Sequence, residues 1–268
     1  MCIRDRLKAG FPVWLPNAIA VLGTQLAIVF TYSIRGGSEA GYLYIAQMIA
    51  MALDSARQSL AVALIPSIAS GNVDKIQLGD IIRISYALLL PVNAIFFFFP
   101  KPVLKLINPE YLVATNPLRI YMLSNMILLM TGLLLTHIYA TGNYKYTLLV
   151  NTSMSTARVA LYTILTPVYG ATGSAIAFLA GTLVATSLLI PKIHGVKAPW
   201  SKMTLSLTIS ISLGVVLEHL IDGPTLAIVA IAIMYLLIIY LLHIMIKLMK
   251  KNELLQLLEI LKTIAKGK

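Results

Sequence analysis

The chain has 268 residues and a net charge of +11, yet only 12% of its residues are charged and 59% are hydrophobic. With a mean hydropathy of +0.86, it lacks the charge to cover a water-facing surface, since soluble domains carry about a quarter charged residues. A soluble fold is excluded, and the long unbroken apolar runs exclude the alternating segments of a transmembrane β-barrel. What remains is an all-α polytopic membrane bundle, in which each span satisfies its own backbone groups.

At roughly 20 residues per span, the length holds about eight transmembrane helices. The first is predicted over Phe11 to Ile34, with Pro12 and Pro16 near its start, where proline is tolerated. The second runs over Ala40 to Ala69 and is bent near Pro66. After the polar stretch Gly71 to Asp80, the third spans Ile81 to Phe99. Lys101 to Pro117 is the longest loop, with room for a short interfacial helix. The fourth is predicted over Leu118 to Ala140, followed by a tight turn at Gly142-Asn143. The fifth spans Tyr146 to Leu165 and the sixth Gly173 to Pro191. A basic loop, Lys192 to Lys202, leads to the seventh over Met203 to Ile221. Asp222-Gly223-Pro224 turns the chain into the eighth, Thr225 to Met249. In the tail, Leu254, Leu257, Leu258, Leu261 and Ile264 fall on one helical face, as in a helix resting on a membrane surface. The segments read as 1–10, a short cytoplasmic start; 11–191, a six-helix lobe; 192–249, two further spans; and 250–268, the amphipathic tail.

Eight spans leave both termini on one side. Fifteen of the 21 lysines and arginines fall on that side, among them Arg4, Arg6, Lys8, Lys75, Arg83, Lys145, Lys192, Lys197 and Lys202. Arg35, Lys101, Lys105 and Arg119 fall on the other. The bias predicts cytoplasmic termini. It also accounts for the positive charge without a nucleic-acid partner. The single Cys2 excludes a disulfide framework within the chain. No cofactor or metal site is expected, and the four histidines lie far apart in sequence.

The two remaining arginines, Arg57 and Arg158, fall mid-helix. Each costs about 2.5–3.5 kcal/mol at a bilayer centre on insertion scales. The guanidinium stays protonated and its planar fork suits phosphate. One reading makes both arginines a buried cationic site for an anionic substrate. The other is structural: Asp54, three residues before Arg57, neutralises it, and Asn151, Ser155 and Tyr162 satisfy Arg158 locally. Gln58, beside Arg57, is expected on the same cavity, while Gln25, Gln47, Asn93 and Asn125 read mostly as interhelical glue. Asp54 is the only acidic residue well inside a predicted span. Catalytic signatures are missing: there is no His-Glu-x-x-His, P-loop or Gly-x-Ser-x-Gly, and Gln77-Leu78-Gly79-Asp80 lacks the first glycine of an intramembrane aspartyl-protease motif. No enzymatic activity is expected.

Several stretches carry a family resemblance: Gly41-Tyr42 with Leu64-Ile65-Pro66-Ser67-Ile68-Ala69, Glu110-Tyr111 with Ala114 and Leu118, Ala140-Thr141-Gly142-Asn143, and Tyr169-Gly170-Ala171-Thr172-Gly173-Ser174-Ala175-Ile176-Ala177. In order and spacing, over roughly Phe11 to Lys250, they resemble the second half of polysaccharide flippases of the multidrug/oligosaccharidyl-lipid/polysaccharide exporter superfamily. The resemblance implies two six-helix lobes around a central cavity, often with two extra helices, of which this chain is the second lobe plus the pair. It implies a polyprenyl-diphosphate-linked oligosaccharide as substrate in the bilayer, alternating access, and Arg57 on a cavity-lining helix. The first lobe is missing, and Met1 to Arg6 reads as an arbitrary start. A fragment is therefore expected, partnered by an N-terminal lobe or a second copy. Two alternatives stand: a cation antiporter of the same superfamily using Asp54, and a non-transporting scaffold of a glycan-assembly complex.

Overall fold

The computed structural model describes residues 3–70, 75–193, 196–220 and 225–249. Within these the chain forms helices α1 (Ile3–Arg35), α2 (Gly37–Ala69), α3 (Lys75–Phe98), α4 (Pro100–Ile107), α5 (Thr115–Ala140), α6 (Tyr144–Ile193), α7 (Trp200–Leu220) and α8 (Thr225–Met245). A 3-10 turn, Pro109–Ala114, joins α4 to α5. Five stretches among the described residues are long and apolar enough to cross a membrane: Trp14–Arg35, Leu78–Phe98, Pro109–Ala140, Tyr144–Ile193 and Trp200–Glu218. Exposed Val29, Ile164, Leu183, Val216 and Leu237 fit a surface facing lipid rather than water. The protein is a multi-pass membrane bundle. The expected Asp222-Gly223-Pro224 turn and the 250–268 amphipathic tail lie outside the described residues.

The predicted fifth and sixth helices meet without a loop in α6. Its helical run is broken at Gly170, at φ 57° and ψ −135°, a conformation costly for a residue with a Cβ. The two arms then fold back on one another. Tyr146 OH donates to the Leu188 carbonyl, Arg158 Nη2 to Thr182 Oγ1 at 3.1 Å, and the Thr166 and Ser174 hydroxyls pair at 2.7 Å. At Gly173 a Cβ would collide with the Leu165 carbonyl. The Gly-Ala-Thr-Gly-Ser stretch therefore builds a hairpin tip tighter than a loop permits.

The tip is capped from both sides by the α1–α2 junction. Arg35 Nη2 donates to the Val168 carbonyl at 2.9 Å, at the end of the first arm. The Glu39 carboxylate accepts the Ala171 backbone N–H at 2.8 Å, at the start of the second. Cations at helix C-termini and carboxylates at N-termini are the favoured placements. At the same junction, Gly36 takes φ 88°.

α4 and the 3-10 turn fill the predicted loop over Lys101 to Pro117. Pro100 and Leu104 face inward, while Lys101, Lys105, Leu106 and Ile107 are exposed. Asn108 caps the turn by accepting the Glu110 N–H at 3.0 Å. α8 ends four residues short of the predicted Met249, because Lys247 adopts φ 57°. Arg83, counted with the cations of the predicted cytoplasmic side and near the start of the predicted third helix, lies within α3 at 6% exposure. It donates to the Leu248 carbonyl at 2.6 Å and pairs with Asp80 at 3.1 Å.

Two apolar clusters hold the bundle. One, around Leu43, Leu118, Tyr121 and Tyr162, joins α1, α2, α5 and α6. The other, around Ile82, Tyr86, Leu133, Leu189, Met203 and Tyr235, joins α3, α5, α6, α7 and α8. Polar bonds fasten α7 and α8. Tyr86 OH donates to the Met203 carbonyl at 2.7 Å. His243 Nδ1 lies 2.9 Å from the Ala87 carbonyl and Nε2 lies 2.6 Å from Ser206 Oγ. A carbonyl only accepts, so Nδ1 carries the proton and Nε2 accepts from the serine.

Candidate functional site

Four helices, α1, α2, α5 and α6, wall a cavity of about 470 Å³. All four of the sequence-selected residues, Asp54, Arg57, Gln58 and Arg158, line it. They arrive in two groups with different chemistry.

The first group is local to α2. Arg57 Nε and Nη2 donate to the two Asp54 oxygens at 2.6 and 2.8 Å. Gln58 Nε2 adds a third bond, at 2.9 Å, to Asp54 Oδ2. Spacings of three and four residues place these side chains one turn apart on a shared face. The expected Asp54–Arg57 pairing is therefore present, in the bidentate form. Arg57 Nη1 points at α5, where a Cβ on Gly132 would overlap it.

The second group spans three helical segments. Arg158 is 2% exposed. Its Nη1 donates to Thr24 Oγ1 on α1 at 3.0 Å and its Nη2 to Thr182 on the second arm of α6. The guanidinium carbon sits 3.8 Å from the centre of the Phe178 ring, a close cation–π contact. Gly181 gives the stem room, since a Cβ there would overlap Arg158 Cγ. Among the described residues, no carboxylate pairs with Arg158.

The local satisfaction of Arg158 is thereby corrected. Asn151, Ser155 and Tyr162 share its helix face but turn outward to α1. They donate to the carbonyls of Pro16 at 2.8 Å, Ile19 at 3.0 Å and Gly23 at 3.2 Å. The acceptors ascend with the donors, so α1 and the first arm of α6 run parallel along a polar ladder. Ser155 packs so close to Gly23 that a Cβ there would collide with it. Small residues permit such approach in membranes, and interhelical polar bonds fix the register. Among the glue residues, Asn125 fits its expected role, donating to the Ala50 carbonyl at 2.9 Å. Asn93 instead donates within its own helix, to the Leu89 carbonyl.

Sequence reasoning missed Asn17, Thr24 and Tyr121 on the cavity wall, and Thr182 as a partner of Arg158. Single polar residues in apolar runs were the available signal, but nothing in the sequence says which of them converge. Asp54, Arg57 and Arg158 are the acidic and basic side chains lining the cavity among the described residues. Their formal sum is +1, and Arg158 supplies it. Such a site favours an anion over a cation.

The fold and this site define a polytopic helical membrane protein with a cavity that is largely apolar and carries two arginines and one aspartate. Among solved structures it is similar to "Lipid II flippase MurJ, inward closed conformation", with a TM-score of 0.74 over 88% of this chain at 16% identity. The match covers 52% of that chain, so this chain spans about half its length. The resemblance to flippases of the exporter superfamily is borne out at the level of fold. No protein-family profile matches the sequence, and no curated protein does.

Proposed function

We propose that the chain is the C-terminal half of a transporter that flips polyprenyl-diphosphate-linked oligosaccharide across the cytoplasmic membrane for cell-surface glycan synthesis. A second half, an N-terminal lobe or another copy, supplies the opposite wall of the pathway. The reading is carried by one observation: a membrane-embedded cavity with two arginines and a net positive wall, in a fold shared with half of a lipid-precursor flippase. Arg57 and Arg158 hold the diphosphate. Gln58 and the cavity amides have the donors and acceptors that sugar hydroxyls need, and Asp54 sets the state of Arg57.

In this reading the chain crosses the membrane eight times, counting α2, α8 and each arm of α6. Residues 11–191 form a six-helix lobe and 192–249 an added pair. Both termini are cytoplasmic. The contacts at helix ends support the alternation. Arg35 and Glu39 meet the α6 tip at one end, where Arg119 also pairs with Glu218. Arg83 meets Leu248 at the other.

The test is export of lipid-linked glycan by the complete transporter in cells lacking their own. Arg57→Ala and Arg158→Ala each abolish export while the protein still reaches the membrane. Normal export by both variants overturns the reading. Binding of a glycosyltransferase by a chain that moves no lipid favours the scaffold instead.

A further inference from the structure

We infer that Asp54 is a built-in competitor for the anionic ligand, holding the fork of Arg57 until a diphosphate displaces it. The inference rests on the proposed anion-binding role of the cavity and adds how that site is regulated.

A guanidinium offers an oxyanion two parallel N–H donors along one edge. In Arg57 the Nε–Nη2 edge is taken by both oxygens of Asp54, at 2.6 and 2.8 Å. The Nη1 end is seated against Gly132 so closely that a Cβ there would overlap both Nη1 and Cζ. The edge that faces Asp54 is thus the one with room for a bidentate ligand. A phosphate reaching it must take the place of the carboxylate.

Asp54 is well held, with Gln58 Nε2 as its third donor. This arrangement solves a problem that an unoccupied cavity poses. A second uncompensated arginine on the cavity that Arg158 also lines would add a like charge to one low-dielectric wall. The carboxylate offsets the second charge while no ligand is bound. It also raises the threshold for entry, because a monovalent, weakly coordinating anion gains little by exchanging with a carboxylate. A diphosphate, with more charge and more oxygens, gains enough. Displacement leaves Asp54 still held by Gln58, so the pair can re-form when the ligand departs.

The experiment measures equilibrium binding of inorganic pyrophosphate and of farnesyl diphosphate to the purified 268-residue chain in nanodiscs. Asp54→Asn keeps the shape and removes the competing charge, so affinity is expected to rise on the order of tenfold. Arg57→Gln weakens binding. Asp54→Asn added to Arg57→Gln restores less than about twofold, because the competition has lost its object. Gln58→Ala, which loosens Asp54 without changing charge, gives a smaller gain in the same direction and serves if Asp54→Asn misfolds. A gain with both probes assigns recognition to the diphosphate alone, and a gain only with the prenyl ester assigns it to the lipid-linked form. Unchanged or weaker binding by Asp54→Asn and Gln58→Ala, where Arg57→Gln still weakens the wild type, overturns the competitor role but leaves the anion site standing. No binding by the wild type or any variant overturns both.

Discussion

Arg158 separates a functional charge from a structural one. In Arg158→Met the protein loses two charge-assisted hydrogen bonds, worth about 1.5–3 kcal/mol each, and a cation–π contact of about 2 kcal/mol. It also escapes the desolvation of a buried ion, several kcal/mol in real proteins. The balance turns on what is left behind. Thr24 Oγ1 already donates to the Ala20 carbonyl at 3.0 Å, and Thr182 Oγ1 to the Phe178 carbonyl at 3.0 Å. Neither hydroxyl is orphaned by losing the arginine. A methionine of similar length refills the space beside Phe178 with a favourable sulfur–aromatic contact. Replacing buried ions by apolar groups of similar volume is often neutral or stabilising by about 1–4 kcal/mol. The unfolding temperature in detergent is therefore expected to stay level or rise, at about 2–4 °C per kcal/mol. Binding should behave oppositely. A unit charge within about 10 Å at an effective dielectric near 20 contributes about 1.7 kcal/mol, so pyrophosphate affinity should fall on the order of tenfold or more. A drop in unfolding temperature beyond about 6 °C with unchanged binding would refute this reasoning and make Arg158 a structural pin.

Three further outcomes follow from the geometry. Gly132→Ala intrudes on the Arg57 guanidinium without altering any charge, so it should cost about 1–3 kcal/mol of stability by overpacking and reduce diphosphate affinity; equal affinity would show that the Arg57 fork is not the contact. Gly170→Ala forces a Cβ into a conformation costing about 1–3 kcal/mol, whereas Glu39→Gln, which keeps the cap but loses its charge, should cost under about 1 kcal/mol by thermal unfolding; the reverse order would contradict the tip geometry. For topology, Leu106→Cys and Lys145→Cys, each in a Cys2→Ser background, should react with an impermeant thiol reagent from opposite faces of the membrane, and labelling from one face would remove the eight-pass arrangement.

The sequence carried the strong periodic signals and lost the long-range ones. The all-α membrane bundle was legible because its helices are long apolar runs, five of them long and apolar enough to cross a membrane among the described residues. The Asp54–Arg57–Gln58 group was legible because its geometry lies within two helical turns. The ladder on α1 was not. Asn151, Ser155 and Tyr162 look alike whether they turn toward Arg158 or toward a helix some 135 residues earlier in the chain, and only packing decides. The burial of Arg83 was illegible for a related reason. A cation three residues into a helix reads as a flank, yet the end of α8 closes over it. The tip at Gly170 was half legible: the motif marked a boundary, but the reach of Glu39 to the Ala171 N–H depends on where α2 begins.

The charge pattern also bears on what the cavity rejects. An antiporter for cationic drugs needs an acidic group with free coordinating capacity, and Asp54 is the acidic residue on this cavity among the described residues. It already accepts from Arg57 twice and from Gln58 once. An organic cation would have to dismantle a bidentate pair and leave Arg57 uncompensated on the cavity that Arg158 also lines, whereas a diphosphate that displaces Asp54 supplies its own oxygens to Arg57 and leaves no uncompensated cation. Dye-efflux measurements with ethidium in cells expressing the complete protein should therefore show no protection. Protection that depends on Asp54 would reverse the polarity assigned to the site, and with it the choice of a phosphate-bearing substrate over a cation.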